Sequence, residues 1–410
     1  MIWQRVKLKY VTRLMYGDSV PRIDETQQGY FREGSVKVFG SNGTFTTCNQ
    51  TNTKAPAIVI GRKGSYGKVN WSQDACFASD TTFFVDETTT KQYLRWLFYL
   101  FQTLNLDQGT DEAAVPGLNR DDAYDKEVLV PSLSEQRAIA NYLDHETVKI
   151  DTLISAKERL LDLLIEKRRA LITHAVTRGI NPFAVRGNRL IENKFVELEA
   201  PWQPTDIKGW RFTQIKHHYK IILGKMLQNS AQSSEDIEVP YLKAQHIQWD
   251  KLLIEQLPKM WASPSEIDIL QVKNGDLLVC EGGEVGRAVI VSHELPINCI
   301  IQNALHVVRP TQTGNVHFLR YLLLHAASHE WLDVICNKAT IAHFTVEKFS
   351  QMWIWLPPLS EQRAIVNYLD HETTKIDTLI VVAQRTIQLL NERRTAIITA
   401  AVTGQINVIM

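Results

Sequence analysis

An α+β fold is predicted: two mixed α/β heads separated by two long helices, which pair as an intramolecular antiparallel coiled coil about a pseudo-twofold axis. Three observations carry this. A helical word of 22 residues occurs twice. The stretch ahead of each copy is long, mixed in composition and only distantly similar to its counterpart. Within each copy the apolar residues recur at alternating intervals of three and four, the seam of a coiled coil.

The word is LSEQRAIANYLDHETVKIDTLI at Leu133–Ile154 and LSEQRAIVNYLDHETTKIDTLI at Leu359–Ile380, differing only at Ala140/Val366 and Val148/Thr374. At the same offset of 226 the match continues without a gap: Leu163-Leu164 with Leu389-Leu390, Arg168 with Arg394, Ala175-Val176-Thr177 with Ala401-Val402-Thr403, and Ile180-Asn181 with Ile406-Asn407. Loops would have drifted in length. Ser134 and Ser360, with proline upstream and an acid next, are read as helix N-caps. A short helix is expected over about 134–144, a longer one over 147–178 ended by Gly179 and Pro182, and its counterpart over 373–403. The seam is read at Ile150, Leu153, Leu164 and Leu171, and again at Ile376, Leu379, Leu390 and Ile397. About 30 residues at 1.5 Å each make a rod of roughly 45 Å. That is loosely the scale of one DNA turn, about 34–36 Å.

The chain is therefore divided as head 1–132, helical repeat 133–181, linker 182–194, head 195–358 and helical repeat 359–410. The heads share a weaker likeness. Trp3, Val6 and Leu8 resemble Trp210, Phe212 and Ile215. AIVIGRKGSYGKV (57–69) resembles DLLVCEGGEVGRA (276–288), a strand followed by glycines at Gly64 and Gly67 or Gly283 and Gly286. The apolar helix at 93–101 resembles 318–326, and 113–122 occupies the place of 339–348.

Composition sets limits. With 44% apolar and 22% charged residues, the chain has cores to bury. No apolar run approaches the roughly 18 residues of a membrane span, and the N-terminus lacks the apolar stretch of a signal peptide, so a cytoplasmic protein with no membrane partner is expected. Five scattered cysteines without a CxxC pair read as reduced, mostly buried thiols rather than a zinc site or disulfide framework. Basic and acidic residues balance at 45 each, which neither favours nor excludes nucleic acid. A DNA reader with this balance gathers its cations on one face or shares the phosphate contacts with a more basic partner.

Catalytic and metal-binding signatures are missing. Gly61–Lys68 has a spacer one residue too long for a nucleotide phosphate loop and lacks the Ser/Thr after Lys68. No glycine-rich cofactor loop accompanies the fragment Asn181-Pro182-Phe183, which reads as a helix terminator. His145-Glu146 and His371-Glu372 are adjacent pairs that diverge around a helix, so no metal is assigned. His217-His218 has no base or nucleophile beside it, and no catalytic residue is assigned.

What remains points to contact surfaces. In GRKGSYGK, Arg62, Lys63, Ser65, Tyr66 and Lys68 project from a flexible loop suited to phosphates or guanine edges, or else form a β-turn with solvated charges. The second head places Glu281, Glu284 and Arg287 on the matching loop, so the two loops should not do the same work. Asn42 and Thr44 sit at the tip of a hairpin over 38–47 turned at Asn42-Gly43, and Gln245 and His246 offer edge-reading groups in the second head. Glu135, Arg137, Tyr142 and Asp144, with Glu361, Arg363, Tyr368 and Asp370, serve helix capping, ion pairing or partner docking.

These words, in this order and twice over, resemble the specificity subunit of type I restriction–modification systems across essentially the whole chain. The resemblance implies that each head is a target-recognition domain for one half of a split double-stranded DNA sequence. It implies that the helical repeats space the heads and dock two methyltransferase subunits, and that restriction subunits with motor and nuclease activity complete the assembly. This chain would bind no cofactor itself. S-adenosylmethionine would sit on the methyltransferase partner, ATP and magnesium on the restriction partner, and the product would be N6-methyladenine. The alternatives are a coiled-coil scaffold without DNA specificity and a self-contained DNA-modifying enzyme.

Overall fold

The computed structural model describes residues 3–20, 36–108, 117–180, 209–336 and 343–408. The chain forms two compact units: Met1–Arg159 with Ala383–Met410, and Leu160–Val382. Each unit thus combines one head with the opening stretch of one long helix and the closing stretch of the other.

The heads share one topology. In the first, strands run in the antiparallel order Met15–Tyr16, Thr82–Val85, Ala57–Gly61, Val69–Ser72. In the second, the order is Tyr219–Leu223, Leu305–Pro310, Leu277–Cys280, Ala288–Ile290. A second, three-stranded sheet also repeats: Gly43–Cys48, Val36–Gly40, Phe77–Ala78 in one head, and Lys259–Ala262, Ile237–Leu242, Ile300–Ile301 in the other. A two-stranded antiparallel ladder joins the start of each head to its end, Gln4–Lys7 with Glu127–Val130 and Arg211–Gln214 with Trp353–Leu356. The second head adds a hairpin at 247–252 and the helix Pro264–Leu270.

The first long helix runs unbroken from Leu133 to Arg178, the second from Leu359 to Val402. The interruption expected near His145 is absent. No Gly or Pro falls within 133–178, and the Thr147 hydroxyl donates back to the Leu143 carbonyl at 2.7 Å, which satisfies it inside the helix. The cap is Ser132 rather than Ser134. Its amide donates to Glu135 at 2.7 Å and its hydroxyl accepts the Glu135 amide at 3.4 Å, a capping box. In the second copy Pro358 occupies that place, and its carbonyl accepts the amides of Glu361 and Gln362. Gly179 and Gly404, at φ +74° and +75°, stop the two helices.

Inside each unit the two helix segments run antiparallel and share a core with their head. Ile139, Ala140 and Leu143 meet Ile398, Ala401 and Val402 around Leu8, Trp96 and Leu97. Ile365, Val366 and Leu369 meet Ile172, Ala175 and Val176 around Ile215, Phe318 and Leu319. Ile150, Leu164 and Ile376 are buried, and Leu171, Leu390 and Ile397 are half-buried. Leu153 and Leu379 lie off the seam, 51% and 52% exposed. Neighbouring residues differ by about 100° around a helix, so only one of each adjacent apolar pair faces inward. From Ile150 and Ile376 the inward track steps by four to Ile154 and Ile380. It then reaches two arginines: Arg168 Nε donates to Asp377 at 2.9 Å in the second unit, and Arg394 Nε to Asp151 at 2.9 Å in the first.

A helix of each head is fastened to a long helix by the same polar contact. Tyr99 Oη donates to Asp144 at 2.7 Å with Thr147 Oγ1 at 3.1 Å; Tyr321 Oη donates to Asp370 at 2.7 Å with Thr373 Oγ1 at 3.4 Å. The equivalence therefore aligns Tyr99 with Tyr321, three residues away from the register read in sequence. Burial pushes the Tyr99 hydroxyl up to about 12, so it remains a donor. Gln136 and Gln362, both fully buried, donate to the carbonyls of Pro131 and Pro357 and hold the helix starts against the ladders.

Buried histidines set the two units apart. His246, His306 and His325 are at most 4% exposed, whereas the one histidine of the first unit, His145, lies outside its core. Burial lowers the pKa of all three, His325 to about 4; its Nδ1 lies 3.1 Å from Thr173 Oγ1. These rings stay neutral in the fold, while the unfolded chain takes up protons from about pH 6.5 downward. Their stability contribution is present above that pH and is lost as pH falls below it, for His325 down to about pH 4, on the order of 2–3 kcal/mol for that residue. Hydrogen exchange of the full chain at pH 7 and pH 5 should show protection lost first in Leu160–Val382. Equal loss in both units would contradict this account.

Candidate nucleic-acid interface

The loop between Ala57–Gly61 and Val69–Ser72 is closed by its own backbone. The Gly67 amide donates to the Gly61 carbonyl and the Gly61 amide to the Lys68 carbonyl, each at 2.9 Å. Gly64 and Gly67 adopt φ of +71° and +79°, which side chains resist. Gly67 also sits against the chain at Leu106-Asp107, where a Cβ would come within 2.3 Å of the Asp107 nitrogen, while Gly64 faces open space. This folding leaves Lys63, Ser65 and Lys68 exposed and turns Tyr66 partly onto the core.

Two further segments meet the loop. The hairpin turns at Ser41-Asn42, one residue earlier than the sequence suggests, because Gly40 pairs directly with Gly43 and a bulge between Val38 and Phe39 shifts the register. Its tip is tied down: Lys68 Nζ donates to the side-chain oxygen of Asn42 at 2.8 Å and to its carbonyl at 3.1 Å. Thr44 is exposed beside it. On the other flank the Leu118 amide donates to the Arg62 carbonyl at 2.9 Å, which brings Arg120 alongside. Arg62 and Arg120 both lie over the ring of Tyr16, at 5.1 and 5.0 Å from its centroid.

The second head builds the same loop with different chemistry. The Gly286 amide donates to the Cys280 carbonyl at 3.0 Å, with Gly283 and Gly286 both at φ +75°. Here Arg287 is engaged locally, donating at 3.0 Å to Glu284 and to the Ala244 carbonyl. His246 is turned inward, its Nδ1 accepting the Lys243 amide at 3.0 Å, so it shapes the loop rather than projecting from it. Gln245 is exposed.

This duplicated architecture with divergent loops matches known proteins. Residues 3–159 and 208–380 each match the model of the type I restriction modification DNA specificity domain. The chain belongs to that family. It is 20% identical to the specificity subunit of the type I restriction enzyme EcoBI from Escherichia coli, over 85% of this chain and 73% of that one. Among solved structures, a chain from a study of assembly and conformational transition in a type I restriction–modification system superposes with a TM-score of 0.63 at 16% identity, covering 98% of both chains. The HsdS subunit of Thermoanaerobacter tengcongensis gives 0.51 at 16% identity, covering 98% of this chain and 97% of that one.

In this specificity chain the polar residues of the helical word divide by orientation. Glu135 accepts the Trp3 indole N–H at 3.3 Å, and Asp144 takes Arg95 and Tyr99, each at 2.7 Å, so both face their own head. Asp370 likewise takes Tyr321, Glu361 lies by Gly179, and Tyr142 packs partly on the core. Arg137, Arg363 and Tyr368 are exposed, with the Arg137 guanidinium over the Tyr93 ring at 5.7 Å. Sequence reading passed over Tyr16 and Arg120. Arg120 falls only within the matched stretch 113–122, Tyr16 lies in no motif, and only the fold carries the two to the glycine loop.

Gly67→Ala should unfold the loop and strongly destabilise the first unit, because both its φ and its neighbour forbid a Cβ. Gly64→Ala meets no neighbour and should cost only about 1–2 kcal/mol for its left-handed backbone. Thermal melts of the two variants would check the order.

Proposed function

We infer that this chain serves as the DNA sequence-reading subunit of a type I restriction–modification complex. Each head reads one half of a split target, and the methyltransferase partners dock on the helical word. The observation that carries this is the pairing of identical topology with divergent loops. Both heads hang from near-identical helix starts through the same Tyr–Asp–Thr contact, yet the loop that is cationic in one head is acidic in the other. Duplicated mounting with unlike reading surfaces suits an asymmetric, two-part DNA site.

The chemistry belongs to the partners. Two methyltransferase subunits hold S-adenosylmethionine and modify adenine, and restriction subunits use ATP and magnesium. This chain supplies address rather than reaction, within the cytoplasm where the DNA lies. Its balanced charge, 45 basic against 45 acidic residues, assigns much of the phosphate neutralisation to those partners.

Mapping modified adenines in DNA from cells that carry the chain with its partners should give a motif of two short parts separated by a fixed unspecified gap. Replacing residues 1–132 with another head should change one part and leave the other. A motif that changes in both parts, or no motif at all, would return the chain to the scaffold reading. Methyl transfer by the purified chain alone would make it an enzyme in its own right.

A further inference from the structure

The corner of the first head where Arg62, Arg120 and Tyr16 meet is an incomplete charge arrangement. Tyr16 lies on an edge strand, 48% exposed, tilted against Phe83 with ring centroids 5.0 Å apart. Arg62 is aimed by its bond to the Asp80 carbonyl at 2.9 Å. Arg120 opens a short helix capped by Asn119, whose side chain accepts the Asp121 amide. Among the described residues neither guanidinium pairs with a carboxylate, and the Nε of each is buried without a partner. Two cations drawn to one ring repel each other. Cation–π attraction offsets part of that cost, and an anion would offset the rest. A guanidinium pair beside an exposed phenol suits a tetrahedral oxyanion, for which arginine is the preferred ligand.

The second head supplies the contrast. Its edge residue paired with His306 is Leu223, as Tyr16 is paired with Phe83. Its loop residue bonded to the flanking segment is Glu281, whose carbonyl accepts the Phe344 amide at 2.8 Å as that of Arg62 accepts Leu118. The residue after the helix cap Thr345 is Val346, where the first head has Arg120 after Asn119. Every cation of the first corner is replaced, and the Glu281 carboxylate lies 3.9 Å from His306 Nε2.

We propose that Arg62, Arg120 and Tyr16 clamp one backbone phosphate of the DNA, a contact built into the first head and absent at the matching corner of the second. The proposal rests on the DNA-reading function above. The clamp fixes how the first head sits on the duplex and carries no base information itself.

The test uses the full chain assembled with its methyltransferase partner. Its binding to a duplex with the mapped motif and to a scrambled duplex is followed over roughly 50–200 mM salt. The doubly substituted variant Arg62→Gln, Arg120→Gln should weaken binding to both duplexes by a similar factor. Its plot of log affinity against log salt should flatten by about 1, the share of one phosphate, with the methylated motif unchanged. The pair Arg62→Lys, Arg120→Lys keeps both charges and should restore the slope, which separates the clamp from a folding defect. An unchanged slope, a flattening of about 2, or a motif relaxed at one base would each overturn the single-phosphate clamp. If the unmutated complex does not distinguish the two duplexes, the DNA-reading function itself fails.

Discussion

An arginine set into an apolar helix seam governs this molecule. A track of Ile and Leu alone tolerates sliding by a heptad, because one apolar layer packs much like the next. Arg168 and Arg394 do not. Each is largely withdrawn from water and meets a counter-charge on the other helix, Asp377 or Asp151, at 2.9 Å, while Arg168 also reaches Asp250 of its own head at 3.3 Å. A slipped register would leave the partly buried Arg394 guanidinium unpaired and Arg168 with Asp250 alone, and such a loss is costly even where the pair itself adds little stability. The pairs therefore act less as glue than as a choice of register. The remaining contacts depend on that choice: Trp3 against Gly404, and Trp210 against Gly179, form only with the helix ends in place.

Given a fixed mounting, the heads are free to differ. The strands that form the sheets keep their order in both, while the loops between them exchange charge. This division follows from burial. A strand such as Ala57–Gly61 or Leu277–Cys280 is buried at every position, so substitutions there are felt as cavities or clashes. Lys63, Ser65 and Lys68 on the glycine loop face outward and answer only to what they touch. Glycines with positive φ remain in both loops because the backbone path needs them, whatever the side chains between them do.

The duplication, the long helices and the matched glycine loops were legible because periodicity and repetition are properties of the chain itself. Finer features were not. The word Ser-Leu-Ser offers two capping hydroxyls, and only the geometry of the turn chooses Ser132. Leu153 and Ile154 are equally apolar, and the phase of the helix decides between them. His246 looks available in sequence, yet its own loop amide captures the ring. The corner at Tyr16 needed three segments, around residues 16, 62 and 120, that only the folded sheet brings together.

The composition of the units has a consequence for synthesis on the ribosome. The second unit is one continuous stretch, Leu160–Val382, whereas the first joins Met1–Arg159 to Ala383–Met410. Trp3 and Asp151 must wait for Gly404 and Arg394 to emerge, some 240 or more residues after Asp151 itself. The head made first is therefore the last to be completed. Until then, the apolar face of Ile139, Ala140 and Leu143 lacks its helical cover, an opening for chaperones or for a partner that arrives during translation.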